Sequence, residues 1–141
     1  MARAQQRLAT ARRALASLEA LAALEDGDVV RDATIQRFEY SFEAVWKAAQ
    51  AVLSELFGIE LASPKPVVRA CFENGLLDEN EARTGLAMVD HRNLTAHTYN
   101  EDLANEIYRQ IPVYRRLMHD WLDRLAQSMS KDHRPDGMAS L

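Results

Sequence analysis

The sequence predicts an all-α protein, an up-and-down bundle of four to five helices, and three observations carry that reading. Alanine, leucine, glutamate and arginine dominate while runs of β-branched residues are missing, which favours helix over strand. Only 5 glycines and 4 prolines occur in 141 residues, too few for a loop-rich sandwich or a disordered chain. Apolar residues also recur at three- and four-residue spacing in stretches joined by short polar turns, and short connections between amphipathic helices favour antiparallel neighbours.

The first helix is expected from about Arg3 to Ala23, with Leu8, Leu15, Leu18 and Leu21 as its apolar stripe. Its arginines at 3, 7, 12 and 13 precede any acid, as in a targeting segment, but Glu19 interrupts the apolar run and the stripe continues past it. Glu25-Asp26-Gly27-Asp28 then forms a polar turn, in which Asp28 is suited to cap the next helix. The second helix has the strongest pattern. Ile35, Phe38, Phe42, Val45, Trp46, Ala49, Val52, Leu53 and Leu56 hold a 3.6-residue period until Gly58 stops it.

Ser63 before Pro64 suits an N-cap and a first-turn proline, so a short third helix should carry Val67, Val68, Cys71 and Phe72 on its apolar side before Asn74-Gly75. Asp78 and Glu81 form a capping pair that opens a fourth helix through Ala82, Gly85, Leu86 and Val89. The fifth runs from about Asn100 to Ser128 on a face of Leu103, Ile107, Ile111, Tyr114, Leu117, Trp121 and Leu125, with Pro112 expected to bend it. Residues 1–128 are read as a single domain and 129–141 as a flexible C-terminal tail.

Several function classes are excluded at this level. No apolar stretch approaches the roughly 18 residues a membrane span needs, and the single cysteine, Cys71, excludes an internal disulfide and a multi-cysteine zinc site. Cys71 lies among apolar neighbours and reads as a small core residue, and the expected address is the cytoplasm. A net charge of −4 argues against coating nucleic acid by bulk electrostatics, though not against a local basic site. On the last helix, Arg109, Arg115, Arg116, His119 and Arg124 make a basic cluster that either guides phosphates or is a solvated face balanced by Asp120 and Asp123.

The segment from Asp90 to Glu101 does not read as simple helix. Arg92 and His97 are five residues apart, which on an unbroken helix points them about 140° away from one another. They share a site only if the helix ends between them. Asn93, Thr95, Thr98 and Asn100 permit such an ending, with Thr98 and Glu101 as one capping pair and Asn100 as a competing N-cap. Arginine offers a fixed fork of donors to phosphate oxygens, and histidine exchanges protons near neutral pH. His91 lies six residues before His97, not the three or four of a metal-binding helical pair, and no His/Cys/Asp cluster completes a zinc site. No metal or cofactor is expected.

Arg92-Asn93-Leu94-Thr95-Ala96-His97-Thr98-Tyr99 matches an R-x4-6-H-x-Y motif, and Arg31 to Lys47, with Phe38, Glu39, Tyr40, Phe42, Glu43 and Trp46, looks like the second helix that accompanies it. On these residues the chain resembles the HEPN superfamily, in the form found in HepT-type toxins and nucleotidyltransferase substrate-binding proteins. The resemblance spans about Val30 to Leu125. It implies a HEPN-like homodimer in which the motifs of two subunits line a cleft, and in active members a metal-independent endoribonuclease of a toxin-antitoxin pair. Carried onto this chain, His97 is the general base or acid, Arg92 holds the phosphate of the RNA substrate, and Asn93 supports them. The implied partner is a cognate MNT-type nucleotidyltransferase antitoxin that transfers AMP to Tyr99 and so blocks the cleft with negative charge. A second expectation, of another class, is a non-catalytic nucleotide- or substrate-binding subunit of a two-component nucleotidyltransferase. The catalytic half is not in this chain, because no Gly-Ser dipeptide of the nucleotidyltransferase pattern occurs.

Overall fold

The apolar stripes anticipated in the sequence converge in a computed structural model, which describes residues 2–132. Five α-helices occur: α1 (Ala2–Ala20), α2 (Asp28–Phe57), α3 (Pro64–Glu73), α4 (Glu79–Leu94) and α5 (Glu101–Asp132), with single 3-10 turns at Leu21–Ala23 and Thr95–His97. No strand is present among the described residues, and none of their helices is long and apolar enough to cross a membrane. The all-α bundle is as expected. Leu8, Leu15, Leu18 and Leu21 of the first stripe are all buried, as are Phe38, Phe42, Val45, Trp46, Trp121 and Leu125.

Side-chain pairings set the direction of each helix. Ser41 donates to the Ala14 carbonyl at 3.0 Å and Arg37 to that of Ser17 at 2.7 Å, so α1 and α2 run antiparallel. Lys65 meets Asp90 at 2.7 Å while Val68 lies against Gly85, so α3 and α4 are also antiparallel. Arg124 pairs with Glu81 and Tyr114 with His91, which makes α4 and α5 antiparallel too. α2 and α5, by contrast, run side by side in one direction, since Arg31 reaches Asn105 and Phe38 stacks on Tyr114. The reversal after α2 is therefore made by the non-helical segment 58–63, and α3 sets off again in the direction of α2. Gly58, at φ 66°, turns the chain out of α2, its amide donating to the Ser54 carbonyl and the Ile59 amide to the Leu53 carbonyl, both at 3.1 Å.

Local expectations met different fates. The Asp78–Glu81 capping box is complete, each side chain bonding the other's amide at 2.8 Å. Asp28 does not cap α2: Gly27 occupies the N-cap, and Asp28 sits in the first turn, where its charge faces the positive end of the helix dipole. Ser63 has the extended conformation of an N-cap without a side-chain bond, and Pro64 is the first helical residue. Phe72 is 44% exposed rather than part of the apolar side, because the three-turn α3 presents Val67, Val68, Ala70 and Cys71 to the core. α5 continues to Asp132 and buries Met129, so that part of the expected tail is helical, whereas residues 133–141 lie outside the described residues. Pro112 is accommodated within α5.

At Gly85 α3 and α4 approach closely, since a Cβ there would stand 3.1 Å from Val68. Cys71 lies in the same layer. Burial pushes its thiol up to about 12, with the Trp121 indole opposing the shift. The folded protein is accordingly expected not to react with a disulfide reagent at pH 8 and to react fully in denaturant. Rapid labelling of the native chain would show that α3 is not packed as described.

Candidate functional site at the α4–α5 junction

The break between Arg92 and His97 exists and has a local cause. α4 ends at Leu94, where the Thr95 hydroxyl turns back to the Arg92 carbonyl at 2.8 Å and a single 3-10 turn carries the chain to His97. The Thr98 hydroxyl repeats the device on the Thr95 carbonyl at 3.0 Å. Asn100 wins the competition to cap α5, its side-chain oxygen accepting from the Leu103 amide at 3.1 Å. Arg31, nearly buried on α2, then ties the start of α5 to the bundle through Asn105 at 3.1 Å and Glu101 at 3.3 Å. The Glu101 and Asp32 carboxylates hold its guanidinium even further above neutrality than usual.

His97 and Tyr99 come together at the surface. Their rings meet edge to face with centroids 6.0 Å apart, and Tyr99 is 84% exposed. His97 and Asn93 are exposed as well. Arg92 is placed differently. Its guanidinium lies over α2, 3.5 Å from Glu43 and 3.9 Å from Glu39, with a 3.4 Å hydrogen bond to the Thr95 hydroxyl and a buried Nε that has no hydrogen-bond partner. Beside Tyr99 a shallow groove of about 360 Å³ is lined by Asp32, Gln36, Glu39 and Thr98. In the single chain the junction is therefore an acidic groove with one compensated arginine.

Glu39 and Glu43 are the site residues to which sequence reasoning gave no role. They stand one turn apart on α2, and Asp32, Gln36, Glu39 and Glu43 together draw a polar line at helical spacing beside the apolar stripe. That line was the available signal.

Other polar clusters have structural explanations. His91 faces inward, 2.5 Å from the Tyr114 hydroxyl and 2.9 Å from Glu106, so it supports the α4–α5 contact. Arg124, in the basic cluster of α5, is taken up by Glu81 and the Leu76 carbonyl. His119, Asp120 and Asp123 bring three ligand atoms within 4.8 Å of one another, but Asp123 already pairs with Arg12 at 2.7 Å.

The bundle and its helix junction define a class: small helical domains with a polar groove where two helices meet. Residues 6–127 match the family described as nucleotidyltransferase substrate binding protein like, and the chain belongs to that family. Among solved structures it is similar to a protein of Thermus thermophilus, with 59% identity and a TM-score of 0.79 over 82% of this chain and 98% of the other. It is also similar in fold to HI0074 of Haemophilus influenzae, described as the substrate binding domain of a nucleotidyltransferase. There the identity is 22% and the TM-score 0.72, over 84% of this chain and 98% of the other. No curated protein sequence matches significantly.

Proposed function

We propose that this chain is the substrate-binding subunit of a two-component nucleotidyltransferase, and that the junction carrying Arg92, Asn93, His97 and Tyr99 is the face it offers to its partner. The observation that carries this reading over the nuclease is the compensation of Arg92. With the Arg92 guanidinium taken up by Glu39 and Glu43, the remaining negative charge of the groove, Asp32 included, repels an RNA phosphate, whereas an exposed tyrosine beside a histidine suits protein contact. Family membership supports a nucleotidyltransferase as the partner.

The exposed His97–Tyr99 pair favours a second reading, the HepT-type homodimeric ribonuclease. In that case pairing of two chains draws Arg92 off α2, His97 acts on the ribose hydroxyl, and AMP transfer to the Tyr99 oxygen with loss of pyrophosphate silences the site.

Co-expression with a small nucleotidyltransferase, sought first in the reading frames that neighbour this one, separates the two. A stable complex, weakened at least tenfold by Tyr99→Ala with no RNA cleavage by the free chain in EDTA, is the expected result. Cleavage in EDTA that disappears in His97→Ala and Arg92→Ala would put the nuclease first. Absence of any complex would refute the subunit reading. AMP adducts that persist in Tyr99→Phe would remove Tyr99 as acceptor.

A further inference from the structure

A second concavity, remote in sequence from the 92–99 motif, lies between the end of α1 and the middle of α5. Its volume of about 360 Å³ falls within the range of small-molecule pockets. Leu18, Leu21, Ile111 and Pro112 provide an apolar floor, and the 3-10 turn leaves Leu24 54% exposed at the edge.

The polar groups around this floor are unequal. Asp26 accepts from the neutral Tyr108 hydroxyl at 2.6 Å and keeps its negative charge, so an anion is held only on the arginine side. Arg109 and Arg115 also line the pocket, and neither has a hydrogen bond or ion pair among the described residues. Arg115 is partly buried as a residue, and its side chain has no carboxylate partner among the described residues. Pro112 lacks an N–H, which leaves the carbonyl of Tyr108 without its regular helical donor.

We infer that this pocket binds a small amphiphilic anion, with its apolar body on Leu18, Leu21, Ile111 and Pro112 and its carboxylate or phosphate at Arg115, with Arg109 as the second cation. A neutral apolar ligand would leave the two arginines unused, and a plain inorganic anion would leave the floor wet. The apolar body is either aromatic or aliphatic, and the same head group serves both. The inference goes beyond the partner-binding role and does not require it.

Calorimetric titration of the full chain with 1-naphthyl phosphate and with octanoate tests it, with 1-naphthol and octanol as neutral controls. The expected result is binding of one anion per chain for at least one of the two, at least tenfold tighter than its neutral counterpart. Arg115→Ala should weaken that binding about tenfold, the scale of losing a charged hydrogen bond, while Arg115→Lys retains part of it. Ala22→Trp, which fills space at the lining, should abolish binding, and Arg7→Ala on the far part of α1 should change nothing. Thermal melts establish that each variant is folded. Equal affinity for anion and neutral analogue, an unchanged Arg115→Ala, or no binding of either anion would overturn the assignment. Complex formation with the nucleotidyltransferase should survive Arg115→Ala, so failure of one proposal leaves the other standing.

Discussion

Replacing Phe38 with alanine is expected to lower the free energy of unfolding by about 3–5 kcal/mol, the usual range for deleting a buried aromatic ring. Phe38 is fully buried in the first half of α2, stacked on Tyr114 of α5 at 5.7 Å and tilted against Phe42 at 6.4 Å. The cavity thus opens between the two longest described helices, α2 and α5. The effect reaches the junction as well, because Tyr114 is the residue that holds His91 on α4. For a domain of this size the loss corresponds to a fall in melting temperature on the order of 10 °C. Urea unfolding followed by circular dichroism checks it, and Phe38→Leu should cost distinctly less because most of the volume is kept. A loss below about 1 kcal/mol for the alanine variant would mean that this stack is not central to the core.

The second large effect is expected at Glu81→Ala, about 2–4 kcal/mol, because one carboxylate serves two purposes. It closes the capping box by accepting from the Asp78 amide at 2.8 Å, and it ties α4 to α5 through Arg124, 2.7 Å at one of its two contacts. Glu81→Gln retains the cap and loses the charge, so it should fall between wild type and alanine. Arg124 is the main reason that the Glu81 carboxyl sits below its usual range, opposed by partial burial and helped by the Asp78 amide. A depressed carboxyl stabilises the fold at pH values above the ordinary glutamate value, about 4.3. That contribution is lost as pH falls through the lower folded value. Stability of the wild type should therefore decline more steeply below about pH 4 than that of Glu81→Gln. Parallel acid titrations of the two proteins would contradict the pairing.

The residues involved in these two predictions were differently legible. Phe38 belongs to a stripe of unbroken period, and an amphipathic helix of thirty residues has few ways to bury such a stripe other than against another helix. The Asp78–Glu81 box is a local motif, visible wherever the two residues stand three apart. Arg124, forty-three residues from Glu81, was readable only as one member of a basic cluster. The same contrast holds at the junction. The break between Arg92 and His97 follows from threonines and asparagines that bond their own backbone, but Glu39 and Glu43 reach Arg92 from another helix.

The helical class, the limits of α2 and α4 at their glycine and capping residues, the buried stripes, and the helix break that exposes His97 and Tyr99 are all written in the amino-acid order. Each of these rests on interactions within a few residues, where spacing and side-chain chemistry suffice. Long-range packing, in contrast, was needed to establish that the segment 58–63 makes the return after α2, that α2 and α5 run in one direction, and that Arg92 is compensated. It also leaves Arg115, at the edge of a pocket with an apolar floor, with no carboxylate partner among the described residues. Those outcomes depend on which charges are brought together across helices far apart in the chain, and pairwise electrostatics over a few ångströms has no signature in a one-dimensional pattern.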